Sequence, residues 1–574
     1  MTDVLDVEVD DREQPSPSDR AATRVTGRRV AGRRVVGLLV VVVPVLWSLQ
    51  RVVPDNGAIV NRGGLPLIGD LLGKALQPRL DAEFLRLVLD AVGTTLAFAA
   101  LGTAGALVIG VLGGLVLSDV AWSRRPPLPV RLLRLALRGL LVAVRSIHEL
   151  VWALLLVSVL GLDPLVAVLA IALPFGAQTA QVFGDIFDGL PVGAFRALRD
   201  AGTPAVPAVA FALLPAASPL MLSYSFYRFE CAVRSTVLLG AVGVGGLGQE
   251  LVVSLQSRNW DEVWTLIGGV VLLSALVDLW STRLRGDMAV ASCTDWSGGN
   301  TVGVRRTHSR WARWSAIAVV PGLLAAWFAT GVSLSGLTDE RTVRLTGQLV
   351  DDMLPPALPR GGWPVVTGAV LDTLAMAVLA MLIAVLITLV VAPWATALRR
   401  GSQAPASLPL RAARGTAWAL ARVVLLVLRS VPPTVWAVIA LLALFPGVLP
   451  GALALGVYTG GVLGRLVAES WESVNTSPRD ALARTGVRGP IATIAAVVPP
   501  STQQLVTYSL YRFEICVRET AVVGIVGAAG LGRLLAENLN FFRFPIVTTL
   551  LLASFVVSVG SELVSRRLRR AVRA

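Results

Sequence analysis

Cysteine, histidine and lysine are nearly missing from this chain. Three cysteines in 574 residues, Cys231, Cys293 and Cys516, form no Cys-x-x-Cys pair, which argues against a disulfide framework or a cysteine-rich zinc site. Two histidines, His148 and His308, are too few for a His-rich metal site. Lys74 is the only lysine, and the heavy use of arginine in its place reads as codon bias, not chemistry. No Gly-x-x-x-x-Gly-Lys-Ser/Thr loop occurs, so any ATP hydrolysis must come from another chain. No nucleophile–base set marks an enzyme, and no motif asks for a cofactor or metal bound by this chain.

Charge is also scarce, at 15% of residues, against 55% hydrophobic residues and a mean hydropathy of +0.71. Those values point to an all-α polytopic protein of the lipid bilayer. At roughly 20 apolar residues per span, the length allows two bundles of about six helices each. The net charge of +14 suggests nucleic acid only until its distribution is considered. The arginines fall mainly in short loops between apolar runs, which is the positive-inside pattern of cytoplasmic loops.

One stretch occurs twice. Tyr224 to Gly248 reads YSFYRFECAVRSTVLLGAVGVGGLG, and Tyr508 to Gly532 reads YSLYRFEICVRETAVVGIVGAAGLG. The offset is 284 residues, and 15 of the 25 positions are identical. Arg145-Ser146 and Trp152-Ala153 recur at the same offset as Arg429-Ser430 and Trp436-Ala437, and Pro215 recurs as Pro499. Leu89-Asp90 to Thr95-Leu96 matches Leu371 to Leu374 only loosely and at a different offset, so the halves differ by insertions in their first third.

In chain order, residues 1–34 form a polar cytoplasmic tail, 35–285 a first half, 286–310 a Gly/Ser/Thr-containing cytoplasmic linker and 311–574 a second half. Apolar runs place the first-half spans near 35–49, 89–117, 140–160, 165–183, 205–226 and 263–279. The second-half spans fall near 311–330, 366–392, 418–445, 449–467, 490–510 and 545–562. Six spans per half give the halves the same orientation, a parallel repeat with both termini cytoplasmic.

Two segments of this plan carry mechanism. The first is LPVGAFRALRDAGTPAVPAVAFALLP at 190–215, with its partner TSPRDALARTGVRGPIATIAAVVP at 476–499. Each is a short amphipathic helix, a glycine break and an apolar helix ending in proline. It resembles the "EAA" coupling loop of binding-protein-dependent ABC importer permeases: Ala197, Asp200, Ala201 and Gly202 stand in the first copy, Ala481, Arg484 and Gly486 in the second. The acidic position of that pattern is not kept, since Phe195-Arg196 and Arg479-Asp480 stand near it. The resemblance implies the MetI-like fold of type I importer permeases and a docking site for a cytoplasmic ABC ATPase dimer, where ATP-Mg would bind. It further implies an extracytoplasmic substrate-binding protein as partner and a bacterial inner-membrane location. The glycine lets the short helix leave the membrane, dock and return.

The second is the repeated charged stretch. Tyr227, Arg228, Glu230 and Arg234, with Tyr511, Arg512, Glu514 and Arg518, are similar to the phosphonate importer permeases, here as a tandem fusion of two halves. That resemblance implies phosphonate or a related phosphorus oxyanion as cargo; methionine, an osmolyte, another oxyanion, or a proton-coupled carrier of twelve spans are the alternatives. Arginine forks suit such oxyanions. Glu230 and Glu514 would hold the arginines when cargo is absent, or else form ion pairs that lock a gate helix without touching cargo. Both copies are expected at the external ends of their fifth spans, as two halves of an outward gate. Gly243 to Gly248 formally matches Gly-x-Gly-x-x-Gly, but without a strand before it the run reads as a tight bend.

Overall fold

The computed structural model describes residues 42–52, 58–120, 127–191, 193–292, 310–396, 408–475, 477–487 and 489–573. The tail at 1–34 and most of the 286–310 linker lie outside these residues. Apart from one isolated bridge between Val60 and Leu444, the regular structure described is helical.

Eight helices of the first half have eight counterparts in the second. They are α1 (Ala82–Leu117), α2 (Leu128–Ser146), α3 (Glu149–Leu160), α4 (Pro164–Gly189), α5 (Gly193–Asp200), α6 (Ala205–Val242), α7 (Leu247–Gln256) and α8 (Trp260–Ser292). Their counterparts, in the same order, are α9 (Trp363–Ala395), α10 (Leu408–Ser430), α11 (Pro433–Ala443), α12 (Val448–Ser473), α13 (Ser477–Arg484), α14 (Val498–Ile525), α15 (Leu531–Asn540) and α16 (Phe544–Arg573).

The closest pairings are α1 with α4 and α9 with α12. Lipid tails are as apolar as leucine, so helices in a bilayer gain by close van der Waals approach, which small residues permit. A β-carbon at Gly102 would lie 2.9 Å from Ile171, at Gly110 2.5 Å from Thr179, and at Gly456 2.7 Å from Ile383. Substituting these glycines would push the paired helices apart.

Among the described residues, seven helices are long and apolar enough to cross a membrane, or nine if each of two bent pairs counts as one span. Of the twelve expected spans, the one at 35–49 lies partly outside the described residues, and those at 311–330 and 490–510 are helical but fall outside that count. The expected straight spans at 140–160 and 418–445 are elbows: α2 and α3 meet at 96°, α10 and α11 at 90°. In the first half His148 leaves helical geometry, and its Nδ1 accepts from the Leu150 N–H at 3.2 Å, capping α3. In the second half Pro432 takes an extended ψ and Pro433 starts the next helix. His148-Glu149 and Pro432-Pro433 look unrelated in sequence, yet they make the same bend. Both elbows are pinned by a repeated tryptophan: Trp152 Nε1 donates to Val144 O at 3.1 Å, and Trp436 Nε1 to Leu428 O at 3.3 Å.

The helices expected at 205–226 and 490–510 do not stop before the charged stretch. α6 runs 38 residues with a π turn at Val209–Leu213, and α14 runs 28, so both copies of the charged motif lie inside a helix. The glycine runs follow. Gly246 and Gly530, at φ +81° and +82°, turn the chain so that the next N–H donates to a threonine on the first long helix of the same half. Leu247 N–H reaches Thr95 Oγ1 at 2.9 Å, and Leu531 N–H reaches Thr373 Oγ1 at 3.0 Å. A β-carbon on either glycine would sit 2.6 or 2.5 Å from that same oxygen. Thr95 and Thr373 are 278 apart while the residues they hold are 284 apart, so the length difference between the halves falls between Thr95 and Arg145.

Candidate functional site

A cavity of about 240 Å³ lies between the two halves. Seven arginines line it, Arg145, Arg228, Arg234, Arg429, Arg465, Arg512 and Arg518, against four glutamates, Glu149, Glu230, Glu469 and Glu519. Tyr227, Tyr458 and Tyr511 complete much of its polar wall. Of the eight residues singled out in the repeated stretch, seven border this one cavity. Glu514 stands behind it, 3.9 Å from both Arg518 and Arg569.

The Arg228 guanidinium lies 4.6 Å from the ring centroid of Phe175, near mid-length of α4, and its Nε donates to the Tyr224 hydroxyl at 2.9 Å. The motif therefore sits at the middle of the bundle, not at the ends of its helices. Arg228 is 4% exposed, and its Nη2 has no hydrogen-bond partner among the described residues. Its expected partner Glu230 instead accepts from Arg234 at 3.0 Å and lies 3.7 Å from Arg429. In the second copy Arg512 approaches Thr459 Oγ1 at 3.4 Å and Glu519 Oε2 at 3.5 Å, while its Nε has no hydrogen-bond partner among the described residues. Arg518 donates to the backbone oxygen of Arg145 at 3.2 Å, from the other half.

Two ion pairs join the halves reciprocally. Arg145 of α2 grips Glu562 of α16 at 2.9 and 2.8 Å, and Arg429 of α10 meets Asp278 of α8 at 2.9 Å. Each residue in one pair is the 284-residue counterpart of one in the other. Asp278 also holds Arg465. Arg145 and Arg429, repeat markers in the sequence, cross between the halves, and Tyr458, Arg465, Glu469 and Glu519 join the cavity although no sequence motif singles them out. The signal for Arg465 was present, since an arginine inside the apolar run 449–467 marks a functional position.

The short helices α5 and α13 stand away from the cavity. Ala197, Asp200, Ala201, Gly202, Ala481, Arg484 and Gly486 are all exposed. Gly202 and Gly486 have φ +87° and +88°, and nothing lies within 4 Å of where their β-carbons would be. They are required by backbone conformation, not by crowding. Phe195 anchors α5 by burying its ring among Phe183, Phe187 and Leu213.

Two equivalent helical halves around one charged cavity, with a pair of exposed short helices, define a membrane permease. Residues 110–289 match the family described as binding-protein-dependent transport system inner membrane component. The chain is 33% identical to the phosphite transport system permease protein PtxC of Stutzerimonas stutzeri over 42% of its own length and 83% of that protein. It is 29% identical to the phosphate-import permease protein PhnE of Mycolicibacterium smegmatis over 87% of its length and 88% of that one. A chain of the MetNI methionine ABC transporter in inward-facing form aligns over 36% of this chain and 96% of its own, at 20% identity and a TM-score of 0.32. The protein belongs to the binding-protein-dependent transport system inner membrane components, the permease subunits of ABC importers, and is not itself the ATPase.

Proposed function

We propose that this chain is both permease halves of an importer for a phosphorus oxyanion (phosphonate, phosphite or phosphate) and that the cargo passes through the cavity between the halves. The observation that carries this reading is the excess of arginine over glutamate around the cavity, with Arg228 buried and one terminal nitrogen open. A buried cation without a carboxylate partner is costly, and an anion in the cavity relieves that cost. A tetrahedral oxyanion offers two oxygens to a guanidinium fork, forming short charge-assisted hydrogen bonds. The relatives' names support the same cargo class.

Drive would come from a separate cytoplasmic ABC ATPase dimer, holding ATP-Mg, that docks on α5 and α13. Their glycine exits would let each short helix move as a lever against α6 and α14. An extracytoplasmic binding protein would deliver cargo at the other end, with both termini of the chain on the cytoplasmic side. The test is uptake of labelled methylphosphonate, phosphite and phosphate by cells carrying this chain with its ATPase and binding protein. Uptake should vanish when the ATPase is inactivated. Uptake that persists without the ATPase and follows a proton gradient would refute the reading in favour of a secondary carrier.

A further inference from the structure

The two arginines at the heart of the cavity are identical in sequence context but not in surroundings. α6 and α14 carry Arg228 and Arg512 at matched positions, and two turns further along each helix the residues diverge to Ser235 and Glu519. An α-helix brings positions seven apart onto one face. Glu519 therefore reaches back to Arg512 at 3.5 Å, and Thr459 faces the same guanidinium at 3.4 Å. At the Thr459 position of the first half stands Phe175, which offers Arg228 a ring face and no acceptor oxygen. The first half has its own nearby carboxylate, Glu149, but on α3, where it accepts from the Ser235 hydroxyl at 2.7 Å and lies 3.4 Å from His148 Nδ1. Its counterpart in the second half is Pro433.

Two of these exchanges run the same way at the arginines themselves. Threonine for phenylalanine and glutamate for serine both supply Arg512 with partners and leave Arg228 without them. A guanidinium held on one face by Phe175 and at Nε by Tyr224 is oriented, and its open Nη2 remains for a ligand.

We propose that the cavity takes its oxyanion off-centre, against Arg228 of the first half, and that Glu519 fills the matching place in the second half as a carboxylate built into the chain. The halves then have unequal roles: one arginine receives cargo, and the other is held by the protein's own anion. This inference rests on the reading of the cavity as an anion path.

The test is uptake of phosphate, phosphite and methylphosphonate by the complete transporter, with membrane abundance and ATPase assembly measured for each variant. Losing a charge-assisted hydrogen bond at the receiving site lowers uptake by about tenfold or more, so Arg228→Gln should show that loss. Arg512→Gln should cost clearly less. Ser235→Glu copies the second half's carboxylate beside Arg228 and should match Arg228→Gln, while Ser235→Gln, of equal size without charge, keeps most of the uptake. The exchange Ser235→Glu with Glu519→Ser frees Arg512 and should restore uptake relative to Ser235→Glu alone. Equal losses from Arg228→Gln and Arg512→Gln, or a Ser235→Glu no worse than Ser235→Gln, would overturn the off-centre site. Normal uptake in both arginine variants would instead overturn the anion path itself. If Arg228→Gln fails to assemble, the comparison between the two Ser235 variants decides.

Discussion

Replacing Glu562 by Gln tests whether the two halves are held together by charge. Glu562 accepts both bonds from Arg145 across the interface, and the two side chains are 15% and 12% exposed. Arg145 Nε already lacks a partner among the described residues, so removing the carboxylate leaves a largely buried guanidinium without its counter-charge. Breaking one side of such a pair costs about 3–5 kcal/mol. Glu562 also binds Arg566, which is 46% exposed and turns to water once released, so the low end, about 3 kcal/mol, applies here. The double variant Arg145→Gln with Glu562→Gln removes the stranded charge and leaves two amides able to bond each other. Its cost should fall to about 1 kcal/mol. Reversible unfolding in mixed micelles with increasing anionic detergent would measure all three variants in a double-mutant cycle. The expected result is a single Glu562→Gln variant less stable than the double variant by about 2 kcal/mol. A double variant that loses the sum of the two single losses would refute the reasoning, because the pair would then carry no coupling.

Valine at Gly202 or Gly486 forces a branched side chain into a left-handed backbone and should leave ATP hydrolysis running while uptake falls; hydrolysis and uptake that stay in step would count against the lever. Alanine at Gly246 meets Thr95 Oγ1 at 2.6 Å with φ +81° and should cost about 2 kcal/mol in the same micelle assay, more than alanine at exposed Gly139, where no neighbour is near. At the start of α1, Asp81 accepts from Arg79 and from the Phe84 N–H, and the Arg79 hydrogen bond holds its carboxyl below the usual range. Its contribution is complete above the ordinary carboxylate range and is lost as pH falls through the lowered value in the folded chain. Hydrogen exchange of the first turn of α1 should therefore quicken in acid, and Asp81→Asn should abolish that pH response.

Much of this protein was legible without coordinates. Long apolar runs demand helices in a bilayer, because only a helix satisfies its own backbone there. The 284-residue repeat revealed two halves, and the glycine-broken segments around Gly202 and Gly486 marked the short exposed helices. These features are local, or depend on comparing the chain with itself. The elbows were not legible, since His148-Glu149 and Pro432-Pro433 share no residue and are equivalent only as bends. The course of the helices through the charged motif was not legible either, because Arg228 and Arg512 look like an end to an apolar run, whereas α6 and α14 continue through them. What tertiary structure alone decided is how the halves meet: Arg145 on Glu562 and Arg429 on Asp278. Periodicity records which face of a helix is apolar, but a pairing between residues hundreds of positions apart exists only once the helices have packed.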